Sequence, residues 1–261
     1  MSEGPGLAVV TGAARGIGAA VAGRLAEQKW SLLLVDACAD QPGIDYAMPS
    51  AADIEAVAER CEGAGAPSVD LLQADVGTAE FVPRLESALA GRSPIAAVAA
   101  AGVIAGGPGW ATSEAAWSTL TEVNLHGVRR LAEVTLPGMV AAGRGRFVAI
   151  ASAAALRAMP QLAAYSAAKA ATVAFIRALA GDLAGTGVSA NAVCPGSTRG
   201  VMLAASAEVY DLGGQEEFAS QHLIRRLIEP EEIAEAVVWL CGPAASALTG
   251  AVLPVDGGLT A

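Results

Sequence analysis

The chain has 261 residues, 54% of them apolar and only 16% charged, with a formal net charge of −10. That composition supplies a large core and excludes a disordered chain. The acidic balance repels phosphate backbones and counts against a nucleic-acid partner.

Met1–Gly6 has no basic region and no cleavage site, so no signal peptide is expected and the cytoplasm is the default compartment. Leu7–Thr11 then reads as a short apolar strand. Gly16–Gln28 follows with Val21 and Leu25 at helical spacing. Leu32–Asp36 is a second strand, Ile54–Glu62 a helix, Val69–Ala74 a third strand and Phe81–Leu89 a helix. Ile95–Ala101 reads as a buried strand, followed by helical stretches at Glu114–Leu120 and Asn124–Ala142. Arg146–Ser152 is a strand, Ala163–Leu183 a long helix and Val188–Val193 a strand. Glu231–Leu240 is a helix and Ala251–Val255 a last strand. Near-continuous apolar strands alternating with helices predict a parallel sheet covered on both faces. The expected fold is therefore α/β: one Rossmann-type doubly wound domain over 1–261, with ligands at the carboxyl ends of the strands. No apolar run is long and charge-free enough for a membrane span. Cys38, Cys61, Cys194 and Cys241 form no C-x-x-C pair, and there are two histidines. No metal site is expected.

Two segments exceed a minimal version of this fold. Residues 37–52 make a long insertion carrying Pro42, Gly43, Tyr46 and Pro49. Residues 197–227 make a long excursion after a strand end, which is the usual place for a lid.

Thr11–Gly18 joins the first strand to the first helix through Gly12, Gly16 and Gly18, with Arg15 and Ile17 between them. Glycines let a backbone turn tightly and approach a pyrophosphate, and the helix N-terminus favours anionic charge. Asp36 ends the second strand about 20 residues on, where an acid accepts ribose hydroxyls. It would repel a 2′-phosphate, so NAD is expected over NADP, although Arg15 in the glycine turn pulls the other way. Asp75 and Val76 end the third strand, where an adenine would lie. Ala101 and Gly102 follow the fourth, as small residues beside the cofactor.

Ser152 ends the fifth strand, and Tyr165 and Lys169 lie one turn apart on the next helix. An ordinary tyrosine is a poor base at neutral pH, and a nearby ammonium is expected to lower its pKa toward the working range. Ser152 would hold the substrate oxygen beside the phenol.

This set resembles the short-chain dehydrogenase/reductase family over essentially the whole chain. The resemblance rests on Thr11–Gly18, Asp36, Asp75, Ala99–Gly102, Asn124, Ser152, the Tyr165–Lys169 run, Asn191, Pro195-Gly196 and Asp256–Gly258. It implies Tyr165 as general acid/base, Ser152 as the orienting hydroxyl, and Lys169 as both pKa modifier and ribose contact. Asn124 would hold a helix kink and a water in the proton relay. Pro195 and Gly196 would lie beside the nicotinamide, and a homodimer or homotetramer is implied. The family's Asn-Asn-Ala-Gly is replaced by Ala99-Ala100-Ala101-Gly102. Gly200 stands where a threonine often bonds the carboxamide, and Thr198 would substitute. The 37–52 insertion resembles that of the mycofactocin-associated, carveol-dehydrogenase-like subgroup. This implies NAD covered by the insertion and re-oxidised in place by a redox peptide cofactor. The expected activity is interconversion of an apolar or cyclic secondary alcohol and its ketone. Met202, Leu203, Tyr210, Leu212, Phe218, Ile104 and Trp110 are candidates for the substrate wall. The alternatives are a 3-oxoacyl-thioester reductase, disfavoured by Asp36, and a non-catalytic dinucleotide sensor, disfavoured by the intact Ser152–Tyr165–Lys169 set.

Overall fold

A computed structural model describes residues 5–261; the signal-peptide expectation for the N-terminus falls largely on residues 1–4, outside the described residues. Seven parallel strands form one sheet in the order β3-β2-β1-β4-β5-β6-β7. They are β1 (Leu7–Thr11), β2 (Ser31–Asp36), β3 (Val69–Gln73), β4 (Ala96–Ala99), β5 (Gly145–Ile150), β6 (Val188–Pro195) and β7 (Val252–Val255). The strand order reverses between β1 and β4, which opens the crevice where doubly wound sheets take their ligands.

Alternation of side chains explains why so apolar a sheet needs helices on both sides. Val9, Leu33, Val35, Ala97 and Ala99 enter one core, while Ala8, Val10, Leu32, Leu34, Ala96 and Val98 enter the other. The second core is closed by α1 (Gly16–Glu27) and α8 (Pro230–Cys241), which pack against each other. Helix α1 buries Gly18, Val21, Ala22, Leu25 and Ala26, the three-four spacing of a single helical face. The first core is closed by α3 (Phe81–Leu89), α5 (Gly127–Ala141) and α6 (Ala163–Asp182). Burying one leucine fully contributes about 1.5–3 kcal/mol, so Leu32–Leu34, all fully buried, are a large part of what fixes β2.

The structure departs from the sequence reading at three places that matter for the site. Helix α2 begins at Ala51 rather than Ile54, because the Ser50 N–H and hydroxyl both donate to the Asp53 carboxylate at 2.7 Å and start the helix early. Strand β4 ends at Ala99, so residues 100–102 leave the sheet and turn into the crevice. The two helices expected at 114–120 and 124–142 are joined. Helix α4 (Glu114–Thr121) passes into α5 through a π-helical turn at Glu122–His126 that contains Asn124. A π turn adds one residue to the repeat and such turns cluster at functional sites. No helix among the described residues is long and apolar enough to cross a membrane. The four cysteines are free, and no group of three or more His, Cys, Asp or Glu side chains among the described residues could hold a metal ion.

Candidate active site

A cavity of about 740 Å³ runs along the carboxyl ends of the strands. Gly12, Arg15, Gly16, Ile17, Gly18, Asp36, Asp75, Val76, Ala101, Gly102, Ser152, Tyr165, Lys169, Pro195, Gly196 and Thr198 all line it. Asn124 does not line the cavity; it is fully buried behind the wall.

One end is a cradle of bare backbone. Gly12 has a φ of +67°, and a Cβ there would lie 2.6 Å from the Ala101 backbone. A side chain at Gly18 would run into the Gly12 carbonyl. Helix α1 has no side-chain cap and no acid in its first turn, so its first N–H groups are left for an anion. Asp36 sits beside this cradle, buried, with one carboxylate oxygen accepting from Ala14 N–H at 3.0 Å and the other from Cys38 N–H at 3.2 Å. The carboxylate is thereby aimed and keeps lone pairs for a diol. Asp75 is held in a similar way. It accepts from Gly77 N–H at 2.7 Å and from the Gln41 amide at 2.9 Å. These residues fit a dinucleotide: backbone for the pyrophosphate, carboxylate for the ribose.

Arg15 turns away from the cradle. Its guanidinium donates to the Ala47 carbonyl at 2.7 Å and to Met48 Sδ at 3.5 Å, and lies 5.6 Å from the Tyr46 ring centroid. Those bonds account for the basic side chain without a 2′-phosphate. The insertion itself is pinned at several points. The Tyr46 hydroxyl accepts from Ile104 N–H at 3.1 Å, Thr119 donates to the Pro42 carbonyl at 2.7 Å, and Gln41 reaches Asp75. Gln41, Met48 and Pro49 thus become cavity wall, a role that only the general placement of the insertion hinted at.

At the other end, Ser152, Tyr165 and Lys169 converge. The Ser152 hydroxyl accepts from Ala154 N–H at 3.1 Å, which holds the loop after β5. Lys169 Nζ donates to the Ile150 carbonyl at 2.8 Å and lies 5.9 Å from the Tyr165 ring centroid. Burial pushes the Tyr165 phenol up to about 12, with the Ser152 hydroxyl pulling it back and Tyr46 and Cys194 pushing it further up. Burial likewise pushes Lys169 down to about 8, with Cys194 opposing. The expected lowering of the tyrosine pKa by the lysine is therefore reversed among the protein's own groups. Desolvation disfavours both charged forms.

Asn124 is fixed through its side chain. It accepts from Val103 N–H at 3.2 Å, and its amide donates to the carbonyls of Val103 and Leu120 at 2.9 Å. Its main-chain carbonyl accepts from Thr172 on α6 at 2.8 Å. The π turn, the loop after β4 and the helix carrying Tyr165 are thus one hydrogen-bonded unit. Asn191 serves elsewhere, tying β6 to the segment before β7 through the Leu248 carbonyl and Ala251 N–H.

Residues 197–227 cover the reacting end, with α7 (Val201–Val209) and a short 3-10 run at Gln215–Gln221. Met202, Leu203, Tyr210, Phe218 and Ile104 line the cavity as expected. Trp110 does not: it is 93% exposed. Leu212 packs with Phe218 and Leu227 in the segment's own small core instead of the cavity wall. Two cations also line this end. Arg199 is held by Glu216 and Glu229, while Arg157 donates to the Leu259 carbonyl at 2.7 Å. Thr198 turns its hydroxyl to the Gly196 carbonyl at 3.1 Å, within its own turn.

Comparison with known proteins places this geometry in context. Residues 12–260 match the family model described as Enoyl-(Acyl carrier protein) reductase. An uncharacterised NAD-dependent oxidoreductase of Mycobacterium tuberculosis is 33% identical over 97% of this chain and 94% of its own length. A cis-4-hydroxycyclohexanecarboxylate dehydrogenase of Sinomonas cyclohexanicum is 34% identical over 98% of this chain and 96% of its own. Among solved structures, a carveol dehydrogenase from Mycobacterium avium in complex with NAD superposes with a TM-score of 0.91. It is 25% identical and covers 98% of both chains. The seven-stranded parallel sheet, the glycine cradle and the matched relatives agree: this chain belongs to the short-chain dehydrogenase/reductase family and is an NAD(P)-dependent oxidoreductase.

Proposed function

We propose that this enzyme interconverts a secondary alcohol and its ketone using NAD, with Tyr165 as the acid/base. The observation that carries the reading is the convergence of Ser152, Tyr165 and Lys169 on the same cavity as the Gly12–Gly18 cradle and Asp36. Bound NAD supplies the hydride acceptor in oxidation and the donor in the reverse direction. The cradle and the free N–H groups of α1 hold its pyrophosphate, and Asp36 takes the adenosine diol and rejects a 2′-phosphate. Asp75 and Val76 flank its adenine, Ala101 and Gly102 let the backbone approach the cofactor, and Pro195, Gly196 and Thr198 wall the nicotinamide. Ser152 orients the substrate oxygen. Tyr165 takes the hydroxyl proton as the carbonyl forms, and returns it in reduction. Lys169 contacts the ribose and favours phenolate when charged. Asn124 keeps the π turn in place and, on this reading, holds the water that carries the proton onward. The insertion and the 197–227 lid belong, on this reading, to one dinucleotide-binding domain.

The wall of Ile104, Met202, Leu203, Tyr210 and Phe218 suits an apolar or cyclic alcohol, in keeping with the cyclic substrate named for the Sinomonas relative. The pinning of the insertion by Arg15, Tyr46, Gln41 and Thr119 supports a second element of the reading. NAD is held without free exchange and is re-oxidised in place by mycofactocin, a redox peptide cofactor. Exposed Trp117 on α4 and Val140 on α5 support a homodimer or homotetramer.

Tyr165→Phe tests the chemistry: turnover of a cyclic secondary alcohol is lost while NAD binding persists, and unchanged turnover would refute the role. Native mass spectrometry of the protein as purified tests the retention. Bound NAD is expected at close to one per subunit; a protein free of NAD that turns over briskly with added NAD⁺ would end that part of the reading.

A further inference from the structure

His222 is 1% exposed and lies outside the residues so far assigned a role. Its two ring nitrogens are both used. Ser197 N–H points at Nε2 from 3.1 Å, and Nδ1 lies 2.7 Å from the Arg226 carbonyl. A backbone N–H only donates and a carbonyl only accepts, so the ring carries its proton on Nδ1 and accepts at Nε2.

The contact lands on the turn that follows β6. Gly196 N–H donates to the Val255 carbonyl at 3.2 Å. Ser197 is fixed from both sides, its N–H by His222 and its carbonyl by Ile228 N–H at 3.1 Å. A Cβ at Gly196 would come within 3.0 Å of His222 Nε2 and 2.8 Å of the Asp256 backbone, so the glycine is what lets the ring reach the turn. The ring therefore joins the cavity-lining turn Pro195–Thr198 to the returning end of the lid at 222–228. The lid's return is in turn bound to the turn after β7, where Ile224 N–H donates to the Gly257 carbonyl at 3.2 Å.

We propose that His222 is a positioning residue: its Nε2 acceptor sets the Pro195–Thr198 wall of the cavity and locks the lid's return to it. It touches neither substrate nor cofactor and acts through Ser197. The kinetic consequence rests on the proposed hydride-transfer reading, whereas the placement of the turn does not. Removing the acceptor strands a buried N–H, which lets the turn relax away from the geometry that hydride transfer needs.

The test compares His222→Phe, which fills the space without an acceptor, with His222→Gln, which restores one. Three readouts are taken: kcat and KM per folded molecule with a cyclic secondary alcohol, hydrogen exchange of the 195–199 segment, and ring ¹⁵N shifts of the wild type. The chain has only two histidines, so the ring signals are assignable by comparison with the variants. In His222→Phe, kcat is expected to fall about 10- to 100-fold with a smaller change in KM, and exchange at Ser197 to quicken at least about tenfold. His222→Gln is expected to recover most of both, and the wild-type ring to show the Nδ1–H tautomer. A His222→Phe protein that loses thermal stability but keeps wild-type kcat and Ser197 protection would overturn the proposal. So would a His222→Gln protein no better than Phe, or a ring protonated on Nε2. Should the wild type turn over no alcohol, the hydride-transfer reading fails, and the exchange and tautomer results still decide the placement of the turn.

Discussion

Replacing Lys169 with methionine is expected to make the NAD-stripped protein more stable at neutral pH while abolishing turnover. Lys169 is 3% exposed, and burial lowers its pKa from 10.5 to about 8. At pH 7 the folded protein therefore holds an ammonium in a place that disfavours it by about 3 kcal/mol. Methionine removes that penalty at similar volume. It also removes the 2.8 Å bond to the Ile150 carbonyl, and an unsatisfied buried carbonyl costs about 1–3 kcal/mol. The net expectation at pH 7 is a gain of up to about 2 kcal/mol, or a few degrees in Tm for a chain of this size. The pH dependence is the sharper test. Below pH 8 both folded and unfolded wild type carry the proton, and the penalty is present in full. Between about 8 and 10.5 the unfolded chain binds more protons, so wild-type stability rises with pH relative to the variant, and above 10.5 the penalty has vanished. Urea titrations of both proteins at pH 7 and pH 10 should show the variant's advantage shrinking by roughly 2 kcal/mol or more. A difference that is flat across this range, or a variant much less stable at pH 7, would refute the claim that the buried ammonium is a burden kept for function.

Three further outcomes follow from the same geometry. Arg15→Ala removes the bonds to Ala47 and Met48 and should speed NAD release about 5- to 30-fold, measured by trapping released NAD; an unchanged rate would mean the insertion is held without Arg15. Asp36→Asn, which keeps one acceptor but loses the charge, should narrow the preference for NAD over NADP by about 100-fold in kcat/KM, and a preserved preference would remove Asp36 from that role. Because burial holds the Tyr165 phenol high, alcohol oxidation should rise steadily from pH 6 to 9 and ketone reduction should not; a flat oxidation profile would point to a step other than proton removal.

The parts of the site that lie at strand ends were legible in the sequence because a doubly wound sheet brings every strand end to one side. Once the apolar strands were recognised, Asp36, Ser152 and the glycine turn had to meet, and Tyr165 and Lys169 came with them one helical turn apart. What stayed hidden depends on contacts far apart in sequence. Arg15 could have served a phosphate, and only the folded insertion shows its guanidinium taken by Ala47. Ser50 and Asp53 carry a helix-start pattern that, given weight, would have moved α2 to its true beginning. The family resemblance implied a helix kink at Asn124, but its form as a π turn has no periodicity signal, since one extra residue leaves the apolar pattern on either side intact. Spacing reveals the neighbouring ammonium but not the depth of burial, which holds the Tyr165 phenol above its ordinary value. Trp110 was expected at the substrate wall on its apolar character alone, yet it faces outward.

Arg15 lies over the Tyr46 ring, whose hydroxyl takes the Ile104 N–H, while Ile104 itself lines the cavity. On the proposed reading, a single aromatic side chain thus ties the insertion beside the dinucleotide to the wall of the alcohol pocket. Linkage requires that whatever ordering one ligand imposes on this shared element be felt, to the same extent and with the same sign, by the other. Affinity for the dinucleotide and selectivity for the alcohol are then not separate traits that can drift independently. A change that reshapes the pocket near Ile104 would also shift the affinity for the dinucleotide.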